Sequence, residues 1–372
     1  MALYKIGLVI NPLAGIGGKV ALKGSDDIAI VYEALARGAV PEANIKAERA
    51  IKSLLPYKEN VVIYTVSGDM GECLCQKLKF KYKVIYKPHF DTTSRADTIN
   101  ATKAIVAASV DLLLFAGGDG TARDICEAVG DNVLVLGIPA GVKIQSAVFA
   151  FDPEDAGIII ANFVQGIPST SSLREVVDLD ENAYRAGHIS SKLYGVMRVM
   201  GQFERLQSMK QSSFVTSNDQ MNGIASYLED HMRRDFFYAI GSGSSAKCIS
   251  RRLNIDYELL GIDIIHNYKL VAKDVTEQQL WQYVQRGALK IIVSPIGGQG
   301  FIFGRGNHQF SARILHAVSK SNIQVISSEA KLLTIKDHAL HVDCGDIDVD
   351  KQLRGYYKIL CDYGYFVQFI CK

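Results

Sequence analysis

The sequence predicts an α/β fold: an N-terminal domain on a parallel sheet with helices on both faces, then a second, β-rich domain. Three observations carry this. Short apolar runs alternate with helix-patterned segments through roughly the first 140 residues. These runs are continuous rather than alternating, as expected for strands buried on both faces. Polar, glycine-containing turns follow several of them. The 372 residues exceed one typical domain, and the pattern changes near residue 145, so we divide the chain into 1–145 and 146–372.

Residues 5–10 (KIGLVI) read as the first strand, ended by Asn11-Pro12, a turn signal. Helical spacing covers 45–55, and the β-branched run 60–66 is a strand. A helix at 72–79 and a strand at 82–86 follow. The next helix spans 93–109, with Ser94 or Thr93 as its cap and Asp97 in its first turn, where a carboxylate complements the helix dipole. Residues 111–116 are a strand, 121–129 a helix and 132–140 a strand. In the second domain, 176–189 and 192–200 read as strands joined by a turn, and 204–235 as partly helical. Residues 236–240 and 289–293 are strands running into glycines, with a helix after the first. The tail, 331–346 and 356–372, reads as strands.

Composition narrows the function. Hydrophobic residues make up 48% and charged residues 22%, which suits a packed core and excludes an intrinsically disordered chain. A formal net charge of +2 gives no basis for a general nucleic-acid binder. The opening apolar run is too short for a signal peptide, and the run AGIIIANFV near residue 160 is too short to span a membrane. The 7 cysteines form no pair of C-x-x-C motifs, which argues against structural zinc and for reduced thiols. The expectation is a cytoplasmic protein with small-molecule partners, without nucleic acid or membrane.

Four glycine turns hold the candidate chemistry. The first is GGDGT, Gly117 to Thr121, between a strand and a helix. Gly117, Gly118 and Gly120 would permit positive φ and close approach to a ligand. The following helix would turn its N–H groups and positive dipole end toward an anion. Asp119 in that turn suits a base accepting a hydroxyl proton, or a group holding magnesium against phosphates. The plainer alternative is a turn in which Asp119 caps the helix. The second is NPLAGIGG, where Gly15, Gly17 and Gly18 could line a phosphate chain and the Asn11 amide could donate to phosphate or ribose. The third is GSGSS, where Gly241 and Gly243 free the backbone and Ser244 and Ser245 bring hydroxyls, or merely cap a helix. The fourth is SPIGGQGFIFGRGNHQFS. It holds Gly297, Gly298 and Gly300, with Arg305 as a planar fork for phosphate, Asn307 beside it, and His308 as the one histidine of interest. A long irregular surface loop is the alternative there. The aspartates of VDCGDIDVD (Asp343, Asp346, Asp348, Asp350) loosely match a calcium loop, but a solvated turn is the default, with magnesium binding as the alternative.

These strings resemble a known family. GGDGT is similar to the signature shared by NAD kinases and by diacylglycerol and sphingosine kinases. The ordered set NP-x-AG-x-GG, FAGGDGTARDI, PAGVK (Pro139 to Lys143) and GGQGFIFGRGN resembles the ATP-NAD kinase-like proteins related to the acetoin-catabolism X protein. The resemblance implies a Rossmann-like three-layer first domain, a β-sandwich-like second domain and a site between them. It implies transfer of the ATP γ-phosphate to a hydroxyl, in NAD kinases the ribose 2′-OH, with ATP, Mg2+ and NAD taking part. Asp119 inherits the role of base. The glycines, Thr121 and Lys143 inherit nucleotide contacts, and Gly243 to Ala246 loosely resemble the G-S-T-A string that lines the nucleotide site. Family analogy also suggests a homo-oligomer. The alternatives are a lipid or other small-molecule kinase, or a non-catalytic ATP- or NAD-binding regulator. The metal ligands stay unassigned.

Overall fold

The computed structural model describes residues 3–22, 28–89, 93–142, 144–179, 191–201, 217–335 and 337–372. The chain packs as two compact units. The first comprises Met1–Ile16, Ser25–Tyr32 and Val40–Met209, and the second Gly17–Gly24, Glu33–Ala39 and Lys210–Lys372.

The first unit holds strands β1 (Tyr4–Ile10), β2 (Val61–Val66), β3 (Lys81–Tyr86), β4 (Leu112–Gly117), β5 (Leu134–Pro139), β6 (Ser171–Leu179) and β7 (Ser191–Met200). They form one sheet in the order β3-β2-β1-β4-β5-β7-β6. Pairing is parallel from β3 across to β7, and β6 closes the edge antiparallel to β7. The unit's helices are α2 (Ala43–Ile51), α3 (Glu72–Leu78), α4 (Arg95–Ala107), α5 (Asp119–Val129) and α6 (Pro153–Val164), while α1 (Ile28–Ala36) is divided between the two units. Helix α2 packs with α6, and α4 with α5, each pair also touching central strands. Gly157 permits the first pairing, because a Cβ there would lie 3.0 Å from the Ala50 carbonyl oxygen.

Local chemistry explains these elements. Leu112 to Ala116 are each 0% exposed, as their unbroken apolar run requires. Fully burying a side chain such as Phe115 contributes about 1.5–3 kcal/mol. Ser94 caps α4 in a capping box: its hydroxyl accepts from the Asp97 N–H, and the Asp97 carboxylate accepts from the Ser94 N–H at 2.9 Å. Such a cap stabilises a helix by about 1 kcal/mol. Helix α6 occupies the run that the sequence marked only as too short for a membrane. Asp152 caps it, and Pro153 takes its first turn, where the missing N–H does no harm.

The first unit also continues beyond the expected boundary at 145. Strand β7 pairs with β5, Val135 opposite Val199, and Val176, Met197 and Val199 join the first core. Buried apolar side chains thus recruit the hairpin that the sequence assigned to the second domain.

The second unit is strand-rich, with helices between the strands. Strands β8 (Phe237–Ile240), β9 (Asp263–His266), β10 (Lys269–Ala272), β11 (Leu289–Val293) and β13 (Ile323–Val325) form a sheet ordered β10-β9-β8-β11-β13. Strands β12 (Phe301–Phe303), β14 (Ala339–Val342), β15 (Gly355–Asp362) and β16 (Tyr365–Cys371) form another, ordered β12-β14-β16-β15. Its helices are α7 (Ser217–His231), α8 (Cys248–Arg252), α9 (Glu277–Arg286), α10 (Ala312–Ala317), α11 (Glu329–Leu333) and α12 (Ile347–Leu353). Two tail assignments change. Residues 329–333, partly expected as strand, form α11. The aspartate-rich segment is neither a solvated turn nor a calcium loop: Asp346 accepts the N–H groups of Asp348 and Val349 and so starts α12.

Candidate nucleotide site

Strand order places the first site. From β1 the chain moves outward through β2 and β3, and from β4 it moves the other way through β5. The order reverses between β1 and β4, and in open α/β sheets ligands bind outside the strand ends at such a switch point. The turns NPLAG and GGDGT leave the carboxyl ends of these two neighbouring strands.

Gly118 is the N-cap residue of α5, at φ −116° and ψ −166°, and Asp119 is its first helical residue. Asp119 therefore does not cap α5. One carboxylate oxygen accepts the Gln145 N–H at 2.8 Å, and the other accepts the Ser146 N–H at 2.9 Å. The group is buried, and burial pushes its pKa up to about 7. Like charge from Asp178 acts in the same direction, and hydrogen bonds from Ser146 and Gln145 oppose it. A carboxyl poised near neutrality, at a helix N-terminus, matches the requirement for a general base.

The positive φ expected of the GGDGT glycines does not occur. Gly117, Gly118 and Gly120 are absent from the positive-φ glycines among the described residues. At Gly117 the need for glycine is steric: a Cβ there would lie 2.4 Å from the Thr121 side chain. Asn11 Nδ2 donates to Thr121 Oγ1 at 3.0 Å, while Asn11 Oδ1 accepts from the Leu13 N–H at 3.1 Å. Asn11 thus braces the turn. Thr121 accepts this bond, and among the described residues its own hydroxyl proton has no protein acceptor. Gly15, at φ +79°, approaches the turn after β5: a Cβ there would meet the Ala140 carbonyl oxygen at 2.4 Å. The N–H groups of Ala140 and Gly141 donate to the Gly117 carbonyl at 2.8 and 3.0 Å. Turns from β1, β4 and β5 therefore interlock around Asp119. Lys143 lies outside the described residues.

Gly17 and Gly18 belong to the second unit. A Cβ on Gly18 would lie 2.5 Å from the His308 ring, and His308 Nε2 is 2.8 Å from the Gly304 carbonyl. His308 is thus a packed loop residue. In GSGSS, the Gly241 N–H donates to the Ile292 carbonyl, and Gly243 takes φ +98°. Ser244 is exposed, and Ser245 Oγ accepts from Lys331 Nζ at 3.3 Å.

The Gly297–Asn307 loop is packed rather than splayed on the surface. Gly297 is buried. Gly298, Gly300, Gly304 and Gly306 all have positive φ, between +71° and +84°. Arg305, expected as a phosphate fork, is 1% exposed. Its Nη1 donates to Asp343 Oδ2 at 3.1 Å, and its guanidinium lies 4.7 Å from the Phe301 ring centroid. Asn307 Nδ2 turns inward to the Ile302 carbonyl at 2.7 Å. The cause is the close approach of β14: a Cβ on Gly304 would lie 1.9 Å from the Asp343 carbonyl oxygen.

Sequence reasoning missed several residues. The backbone of Gln145 and Ser146 holds Asp119, and nothing local to GGDGT marks them. Asp178, whose charge bears on Asp119, pairs with Arg123 at 3.0 Å. Lys247 Nζ and Asp263 Oδ2 form a fully buried ion pair at 2.7 Å, and burial lowers the lysine pKa. No motif flags either partner. Among the described residues, no cluster of three or more His, Cys, Asp and Glu side chains could hold a metal. Among them, too, no helix is long and apolar enough to cross a membrane.

A mostly parallel sheet with interlocked glycine turns at its switch point, a helix N-terminus and a near-neutral carboxyl is an α/β arrangement suited to handling phosphate. Comparison with protein families narrows this. Residues 6–167 match the ATP-NAD kinase N-terminal domain and residues 237–370 the ATP-NAD kinase C-terminal domain, so the chain belongs to the ATP-NAD kinase family. It is an ATP-dependent kinase, a phosphotransferase. No curated protein matches the chain.

Proposed function

We propose that this kinase transfers the γ-phosphate of ATP to the 2′-hydroxyl of the adenosine ribose of NAD, forming NADP. The observation that carries the proposal is Asp119: a buried carboxyl with a pKa of about 7, held by two backbone N–H groups at the N-terminus of α5. In the transfer the acceptor O–H bond breaks and its proton passes to Asp119. The oxygen bonds to the γ-phosphorus, and ADP leaves. Each Asp119 oxygen accepts one N–H, and a carboxylate oxygen has a second lone pair for the incoming proton. The Thr121 hydroxyl and the first N–H groups of α5 are donors for phosphate oxygens.

Magnesium fits as a companion of ATP. The described residues form no three-ligand acidic cluster, and Mg2+ is commonly held by one or two carboxylates together with substrate phosphates. When bound, it neutralises charge on the phosphates. Work in the cytoplasm agrees with the seven free cysteines.

The test is purified full-length chain with ATP, Mg2+ and NAD. Formation of NADP is expected. ADP release with another nucleotide or a lipid, but none with NAD, overturns the acceptor. Tight ATP and NAD binding with no ADP formed from any acceptor overturns turnover itself.

A further inference from the structure

We infer that the second unit carries its own phosphate-recognition site, formed by Lys331, Ser294 and Ser245. The nucleotide-kinase reading enters only as the source of the phosphate, a nucleotide substrate.

Topology brings the three together. Strands β8, β11 and β13 are parallel neighbours. From β8 the chain continues to β9 and β10 on one side, and from β11 to β13 on the other. This sheet therefore has a switch point of its own, between β8 and β11. Ser245 lies in the turn after β8, Ser294 directly follows β11, and Lys331 sits on α11 after β13. Lys331 Nζ is 2.9 Å from Ser294 Oγ and 3.3 Å from Ser245 Oγ.

The donor arithmetic gives the site its sign. An ammonium group can only donate, so both hydroxyl oxygens act as acceptors toward Lys331. Each hydroxyl keeps its own proton. Among the described residues, neither proton has a protein acceptor. One cation and two hydroxyl donors thus converge at the carboxyl ends of three parallel strands. That set is complementary to the oxygens of a phosphate, through charge-assisted hydrogen bonds. All three residues are half-buried, so the group is partly desolvated yet reachable.

The frame around the site is rigid. Ser242 Oγ donates to the Gly306 carbonyl at 2.7 Å, and the Gly243 N–H donates to the Leu259 carbonyl at 2.8 Å. Beneath the same turn, Lys247 binds Asp263 and the Ile240 carbonyl. Ser245 and its neighbours are held in place before any ligand arrives, which lowers the ordering cost of binding.

The test is equilibrium binding to the full chain by calorimetry, with ATP, NAD, inorganic phosphate and adenosine as ligands. Lys331→Met should weaken ATP or NAD about tenfold or more and leave adenosine unchanged. Ser294→Ala should weaken them severalfold, and Lys331→Arg should keep most of the affinity. The salt dependence of ATP binding should also flatten in Lys331→Met, since one phosphate-facing cation is gone. If inorganic phosphate weakens together with the nucleotides, the site takes a phosphate group as such. If only the nucleotides weaken, it takes a phosphate within its nucleotide. Unchanged affinity for every phosphate-bearing ligand overturns the site, as does a parallel loss for adenosine, which would make Lys331 only a brace. Should Lys331→Met fail to fold, Ser294→Ala carries the same comparison with the amine in place. Binding is read without turnover, so a wild-type chain that makes no NADP would sink the acceptor proposal and leave this one standing.

Discussion

Ser146 donates its backbone N–H to Asp119 Oδ1 at 2.9 Å, while its hydroxyl donates to the Val177 carbonyl at 2.8 Å and accepts the Val177 N–H at 3.1 Å. One fully buried serine thereby ties the candidate base on α5 to strand β6.

Substituting Ser146→Ala keeps the N–H that holds Asp119 but strands the Val177 N–H and carbonyl in a dry interior. Leaving such groups unpaired costs about 1–3 kcal/mol. Urea unfolding should show a lower midpoint at unchanged slope. Turnover should fall through misplacement of Asp119, with kcat affected more than KM.

Asp119→Asn is more than a catalytic knockout. Its two oxygens face two N–H donors, and an amide offers only one acceptor oxygen, so its NH2 group would confront a backbone N–H. We expect loss of phosphoryl transfer together with about 1–3 kcal/mol of stability. Kinase assays alongside thermal unfolding check both. Full activity in this variant would remove Asp119 from the chemistry.

The pH dependence follows from the same carboxyl. Its pKa is raised from 3.8 to about 7 in the folded chain. Between these values the folded state holds a proton that the unfolded state has released, so this group's contribution to stability falls as pH rises toward 7 and levels off above it. The pH-dependent stability difference between wild type and Asp119→Asn should follow that window. Base catalysis needs the ionised form, so kcat/KM should rise through pH 7 and plateau above. A profile flat from pH 5 to 8 would contradict the assignment.

Gly117→Ala should disturb the turn from within, because the new methyl group falls 2.4 Å from Thr121. Relief requires moving Thr121 and loosening its bond from Asn11. Overpacking of this kind costs about 1–3 kcal/mol. A double-mutant cycle between Asn11→Ala and Thr121→Ala should give a coupling energy of about 0.5–3 kcal/mol, since the residues are bonded. Strict additivity would mean that the bond does not stabilise the turn.

In the second unit, Lys247→Met should be strongly destabilising, because Asp263 would stay buried without its cationic partner. Breaking such a pair costs about 3–5 kcal/mol. Replacing both residues with apolar ones should recover much of that loss, as read by chemical unfolding.

The amino-acid sequence alone determined the five strands β1 to β5 of the first sheet and the glycine turns that follow them. Residues 112–116 announce a doubly buried strand because five successive apolar side chains cannot face water. The glycines after them mark a turn into a helix, and Ser94 with Asp97 marks the start of α4. Those signals are local: each rests on neighbours a few residues apart. Only the tertiary structure decided where the polar groups point. The donors that hold Asp119 come from residues 145 and 146, and the carboxylate that draws Arg305 inward comes from Asp343. The hydroxyls that meet Lys331 come from two different strand ends. Hydrogen bonds and ion pairs form between whichever groups the folded backbone brings within about 3 Å. That proximity is created by strand order across the sheet, which no short stretch of sequence encodes.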